Sequence, residues 1–260
     1  MPRREIRNAR ILVTGASSGI GRALAKQLAD EGASILITAR REDRLQQLAD
    51  ELAADGGQVA IAAGDITDKD HRLRLLETAQ FQLGGLDVLV NNAGIGAVGH
   101  FVPSDPERLR KIMEVNFFAV AEMIRESHEL LLKSESPAIV NVGSVLGHRA
   151  VPSKSEYCAS KFALHGLTDA LHGELRRDGI DVILISPSTT TSEFADSLIE
   201  DRGGAAKNPY GMSSEDVARQ IIRAIRAGRR EVILSLTGKL LVWIDRICPP
   251  LASWIVQRFG

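Results

Sequence analysis

The sequence is short of cysteine, with only Cys158 and Cys248 among 260 residues, and short of aromatics, at 4%. Two cysteines make no disulfide framework, which points to a reducing compartment and a fold held by its own core. The formal net charge is −1, so no global field draws nucleic acid or a membrane, and no basic patch suggests a nucleic-acid partner. The histidines, His71, His100, His128, His148, His165 and His172, show no metal-ligand spacing, and no metal is expected. Residues 1–10 are polar and basic and do not read as a secretory signal, so the expected location is cytoplasmic.

Hydrophobic residues at 44% and charged residues at 25% are ordinary for a globular protein. A chain of this length can bury a sizeable core without cross-links. Short apolar runs at 11–14, 34–38, 59–62, 87–90, 138–142, 182–185 and 231–234 alternate with longer segments of helical spacing, among them 20–30, 42–54, 106–133 and 155–177. That alternation is the pattern of βαβ units around a parallel sheet covered on both faces. The expectation is one α/β domain over 1–239, a doubly wound Rossmann fold with a seven-stranded parallel sheet in the order 3-2-1-4-5-6-7, followed by an amphipathic tail at 240–260.

Between the first strand and the first helix stands Thr14-Gly15-Ala16-Ser17-Ser18-Gly19-Ile20-Gly21. Gly15 permits a tight turn, and Gly19 and Gly21 allow close approach of a pyrophosphate to the helix N-terminus. Ser17 and Ser18 add hydroxyl donors. An acid at the end of the second strand would bond the ribose of NAD and repel a 2′-phosphate. The strand ends instead in Thr38-Ala39-Arg40-Arg41. This predicts NADP(H), with NAD(H) as the alternative, Arg40 as the main phosphate reader and Arg41 in support.

At this point the chain resembles the short-chain dehydrogenase/reductase family over nearly its whole length. The glycine loop resembles the family's TGxxxGxG, and Asn91-Asn92-Ala93-Gly94 its NNAG element. Asp65-Ile66 matches its adenine contact, Asn116 its helix asparagine, and Tyr157-Cys158-Ala159-Ser160-Lys161 its YxxxK, with Ser144 upstream. A tyrosine titrates near ~10, and a lysine one helical turn away favours the phenolate. The resemblance implies that Tyr157 exchanges the proton, Lys161 lowers its pKa and bonds the nicotinamide ribose, and Ser144 holds the substrate oxygen. Asn116 would keep a water in a proton relay or serve as scaffold; both readings stand. The implied reaction is hydride transfer between NADP(H) and an apolar carbonyl or alcohol. The alternative is a non-catalytic NADP(H)-binding sensor or scaffold.

After the sixth strand the family shows Pro-Gly and then a threonine that touches the nicotinamide. Here the run is Pro187-Ser188-Thr189-Thr190-Thr191-Ser192. Pro187, Thr190 and Ser192 are expected at the cofactor, while Ser188 is suspect if its position needs a positive φ. Residues 188–212 resemble the family's substrate lid, with Phe194 and Tyr210 as lid aromatics. Cys158 reads as packing rather than as a nucleophile. The resemblance implies a homodimer through 106–133 and 155–177; a tetramer through the seventh strand would compete with the tail for that surface. The tail, broken by Cys248-Pro249-Pro250 and by charges, is too interrupted to span a membrane. Its two short helices either pack on the body or a partner, or lie on a bilayer.

Overall fold

The computed structural model describes residues 4–190, 198–201 and 211–259, without the side chains at 201, 257 and 259. The elements run β1 (Arg10–Thr14), α1 (Gly19–Asp30), β2 (Ser34–Ala39), α2 (Glu42–Ala54), β3 (Gln58–Ala63), α3 (Lys69–Thr78), β4 (Val88–Asn91) and β5 (Gly96–Val98). There follow α4 (Pro106–Met113), α5 (Ala119–Leu131), β6 (Ala138–Val142), α6 (Ser155–Glu174), β7 (Asp181–Ser186), β8 (Leu198–Asp201), α7 (Ser214–Ala227), β9 (Glu231–Ile233), α8 (Leu236–Ile247) and α9 (Pro249–Phe259).

Seven strands form one parallel sheet in the order β3-β2-β1-β4-β6-β7-β9. The labels depart from the expected 3-2-1-4-5-6-7 because two unforeseen strands, β5 and β8, interleave in sequence and pair only with each other. The seven anticipated strands keep their anticipated neighbours.

The strands of the large sheet are mainly apolar because both faces are covered. On one side α1, α2 and α7 close over Ile11, Val13, Ile35 and Val90 with Leu24, Leu28, Leu48, Ile221 and Ile225. On the other, α3, α5 and α6 close over Leu12, Leu36, Leu89 and Ile139 with Leu75, Met123 and Leu164. Local signals start and stop the helices. The Asp105 carboxylate accepts from Glu107 N with Pro106 in the first turn. Ser213 caps α7, and Gly228, left-handed at φ 59°, ends it.

The expected long helix at 106–133 is present in two pieces. A π turn at Glu114–Phe118 separates α4 from α5 and carries Asn116. The tail folds as two helices, the first starting at Leu236, and both pack on the body. Val242, Ala252 and Val256 are buried. Arg149, in the turn after β6, donates to Asp245 on α8 and Ser253 on α9, each at 2.9 Å. Among the described residues, no helix is long and apolar enough to cross a membrane.

Candidate active site

In a parallel sheet the loops after successive strands emerge at the same edge. The loops after β1, β4, β6 and β7 therefore converge, and they carry most of the residues singled out from the sequence. Gly15 sits at φ +69°, and a Cβ there would lie 2.8 Å from Ala93 Cα. A Cβ on Gly21 would lie 2.4 Å from the Gly15 carbonyl oxygen. Neither position has room for a side chain, so strand, turn and helix come together as a dinucleotide cradle requires.

Two other groups brace this cradle. The Thr14 hydroxyl accepts from Asn92 N and Ala93 N, each at 3.0 Å, and Asn92 Nδ2 donates to Thr14 O at 2.9 Å. Thr14 thus ties the glycine loop to the Asn92-Ala93-Gly94 loop, a role hidden by its place in an ordinary β-branched strand. At the end of β2, Arg40 is exposed. Arg41 turns inward, its guanidinium donating to Ser17 Oγ at 3.0 Å and Ser18 Oγ at 2.8 Å. The supporting arginine is therefore the one beside the loop. Asp65 is exposed, its carboxylate accepting from Thr67 N and Thr67 Oγ1 at 2.9 Å each, and Ile66 follows beside it.

Ser144, Tyr157 and Lys161 come together, although Ser144 lies in the loop after β6 and the other two on α6. The Ser144 and Tyr157 side chains are hydrogen-bonded, and Ser144 Oγ also accepts from Leu146 N at 3.1 Å, starting a short 3₁₀ turn. Capping and tyrosine contact are thus both present. Lys161 is buried, with Nζ donating to Val142 O at 2.8 Å and lying 5.7 Å from the Tyr157 ring centroid. Asn116 is fully buried. Its Oδ1 accepts from Ile95 N, and its Nδ2 donates to Ile95 O and Ser160 Oγ, all at 2.9 Å. The scaffold role of Asn116 is visible in these bonds. Gly94 adjoins both groups, since a Cβ there would lie 3.3 Å from Asn116 Oδ1 and 3.8 Å from Lys161 Nζ.

The electrostatics correct one expectation. Burial pushes the Tyr157 hydroxyl up to about 12, opposed by the hydrogen bond from Ser144. Burial also brings the Lys161 ammonium down to about 8. Lys161 therefore does not lower the tyrosine in this geometry, because an ammonium held at about 8 has lost its charge before a phenol near 12 would ionise. At neutral pH the phenol stays protonated, ready to donate.

Pro187 is buried, and its carbonyl accepts from Val145 N at 2.9 Å, pinning the loop after β7 to the catalytic turn. Ser188 is not among the residues with positive φ, so a serine takes this path without strain. Thr190 forms an isolated bridge with Met212. Ser192, Phe194 and Tyr210 lie outside the described residues.

A grouping that the histidine spacing did not indicate lies behind the site. His148, His165 and Glu231, from three separate elements, bring their ligand-capable atoms within 4.8 Å of one another. His148 Nε2 bonds Ser186 Oγ at 2.9 Å, and His165 Nδ1 donates to Gly147 O at 3.1 Å. Burial brings His148 down to about 4, with His165 and the Arg246 cation adding to the effect. Through His148 and His165 the cluster braces the catalytic turn by hydrogen bonds. Cys158 is buried and its thiol pushed up by burial, as packing requires.

A family profile described as short chain dehydrogenase matches residues 9–203. An uncharacterized oxidoreductase of Bacillus subtilis, YxnA, is 30% identical over 254 residues, covering 95% of this chain and 71% of the relative. The ketoacyl reductase HetN of Nostoc is 30% identical over 257 residues, covering 96% of this chain and 88% of the relative. A short chain dehydrogenase/reductase of Burkholderia phymatum, solved in complex with NAD, has a TM-score of 0.88 at 26% identity, with 95% and 96% of the two chains covered. One from Burkholderia cenocepacia, in complex with NADP, has a TM-score of 0.81 at 28% identity, with 91% and 100% covered. With the glycine cradle and the serine–tyrosine–lysine cluster in place, these likenesses make the chain an oxidoreductase of the short chain dehydrogenase family.

Proposed function

We propose that the protein reduces an apolar ketone or aldehyde with NADPH. The observation that carries the reading is the hydrogen-bonded Ser144–Tyr157 pair, with buried Lys161 beside it. The substrate oxygen binds between the Ser144 and Tyr157 hydroxyls. Bound NADPH supplies the hydride to the carbonyl carbon, and Tyr157 supplies the proton to its oxygen. With burial holding it near 12, the Tyr157 phenol is protonated at neutral pH and is the proton donor that carbonyl reduction needs. Lys161 bonds the ribose hydroxyls in this reading, and Asn116, bonded to the Ile95 backbone, holds the loop against which the nicotinamide would rest. An intact catalytic set argues against a purely sensing role.

The choice of NADPH over NADH rests on Arg41 at the loop serines, on Arg40 next to it, and on the lack of an acid at the end of β2. Solved relatives carry either cofactor, so the test is calorimetric titration with both. The expected result is clear preference for NADPH, weakened at least tenfold by Arg41→Ala and reversed toward NADH by Arg40→Asp. Equal affinities, unmoved by either substitution, would overturn the cofactor assignment and leave the enzyme class standing. Exposed Phe118 and Phe162, on the helices named for a dimer, support pairing through that face. The free thiols Cys158 and Cys248 fit a cytoplasmic setting.

A further inference from the structure

We propose that α8 and α9 form a docking face for the surface of an anionic lipid bilayer, so that the enzyme works as a peripheral membrane protein. Among the described residues, six of the fourteen exposed large hydrophobics fall between residues 236 and 254. These are Leu236, Leu240, Trp243, Ile247, Leu251 and Trp254, between 45% and 84% exposed. The spacing of the first four places them on one face of α8. Trp243 and Trp254 are the only tryptophans in the sequence, and tryptophan favours the boundary between headgroups and acyl chains.

This face is not a core face left uncovered. The helices bury a different side: Val242, Ala252 and Val256 face the body. Gly238 comes so close that a Cβ there would lie 2.7 Å from a Val145 methyl. The hairpin is therefore fixed on the fold with its apolar stripe outward.

Charge decides what covers the stripe. The segment 236–260 contains Lys239, Arg246 and Arg258, all exposed, and a single acid, Asp245. That acid is paired with Arg149 at 2.9 Å. At about 100° per residue, Lys239 and Arg246 lie about 40° and 60° from Trp243 on the same side, flanking the stripe. An apolar stripe edged by cations suits an anionic lipid surface, where the stems lie along the acyl boundary and the charges reach phosphates. At 12 and 11 residues the helices are too short to span and lie in the plane of the interface.

The test needs neither cofactor nor substrate, so its outcome is separable from that of the reductase reading. The full-length protein is floated with vesicles of phosphatidylcholine alone and with vesicles containing about one third phosphatidylglycerol, and tryptophan emission is recorded. We expect flotation with the anionic vesicles and a blue shift from the two face tryptophans. Trp243→Asp with Ile247→Asp should weaken binding at least tenfold, and Lys239→Glu with Arg246→Glu should remove the preference for anionic lipid; all four residues are exposed, and circular dichroism checks that the variants fold. No flotation with unchanged emission would overturn the proposal. So would a loss of oligomer size in the aspartate variant without lipid binding, which would make the stripe a contact between copies of this chain.

Discussion

Arg108 offers the sharpest test of the energetics around the site. Its Nε and Nη2 donate to Glu156 Oε1 at 2.9 and 2.7 Å, and its Nη1 donates to Glu200 Oε2 at 2.7 Å. The arginine and Glu156 side chains are 3% and 1% exposed, and Glu156 immediately precedes Tyr157. Arg108→Leu leaves a buried carboxylate without its cation, which costs about 3–5 kcal/mol. For a chain of this size that lowers Tm by about 6–20 °C. The pH dependence follows from the sign of the shift. In the native protein burial pushes Glu156 up, and the bonds from Arg108 outweigh it, leaving the carboxyl below its ordinary range. Without Arg108 burial prevails and the folded pKa rises. The folded variant then binds a proton more readily than the unfolded chain, so its deficit is largest at pH 8 and shrinks toward pH 5. Thermal unfolding by circular dichroism at both values reads this directly, and Arg108→Leu with Glu156→Leu should recover most of the loss. An equal deficit at the two pH values, with no rescue in the double variant, would refute the reasoning.

Tyr157→Phe should reduce turnover by at least about a hundredfold through loss of the proton donor, while calorimetry finds NADPH binding unchanged; near-normal turnover would remove Tyr157 from the mechanism. Lys161→Met should abolish activity yet raise stability at pH 7. Burial holds the folded Lys161 at about 8, so its charge costs roughly 3 kcal/mol below pH 8, a cost relieved as pH rises toward the unfolded value; chemical denaturation at pH 7 and pH 10 should show the variant's advantage disappearing. His148 is depressed to about 4, so the unfolded chain binds its proton first and native stability falls between pH 6.5 and pH 4, by up to about 3 kcal/mol. His148→Gln should flatten that part of the curve, and a profile of unchanged steepness would show that other groups carry the acid lability.

What the sequence disclosed follows from which constraints are local. Gly15 and Gly21 are dictated by backbone approach within one loop, and Tyr157 and Lys161 by one helical turn, so both motifs were legible. Parity at the end of β2 was not. Adjacent residues of an extended segment point to opposite sides, and only the sheet fixes that Arg41 rather than Arg40 reaches the loop serines. Thr14 looked like any strand threonine until β4 was seen beside it. The upward shift of Tyr157 is a sum over all its neighbours, which no spacing reports. Neither β5 and β8, of three and four residues, nor α3 and α7 are among the expected elements. The short strands pair only with each other, whereas α7 has both a serine cap and a glycine stop that could have found it.

Arg149 has a consequence beyond holding the tail down. One guanidinium joins α8 and α9 to the turn that begins at Ser144. An event that parts the two helices must give up at least one of these bonds, and one that displaces the turn strains both. The free energy that links them is therefore reciprocal. Whatever tightens the turn on a substrate steadies the tail, and whatever steadies the tail repays the turn by the same amount.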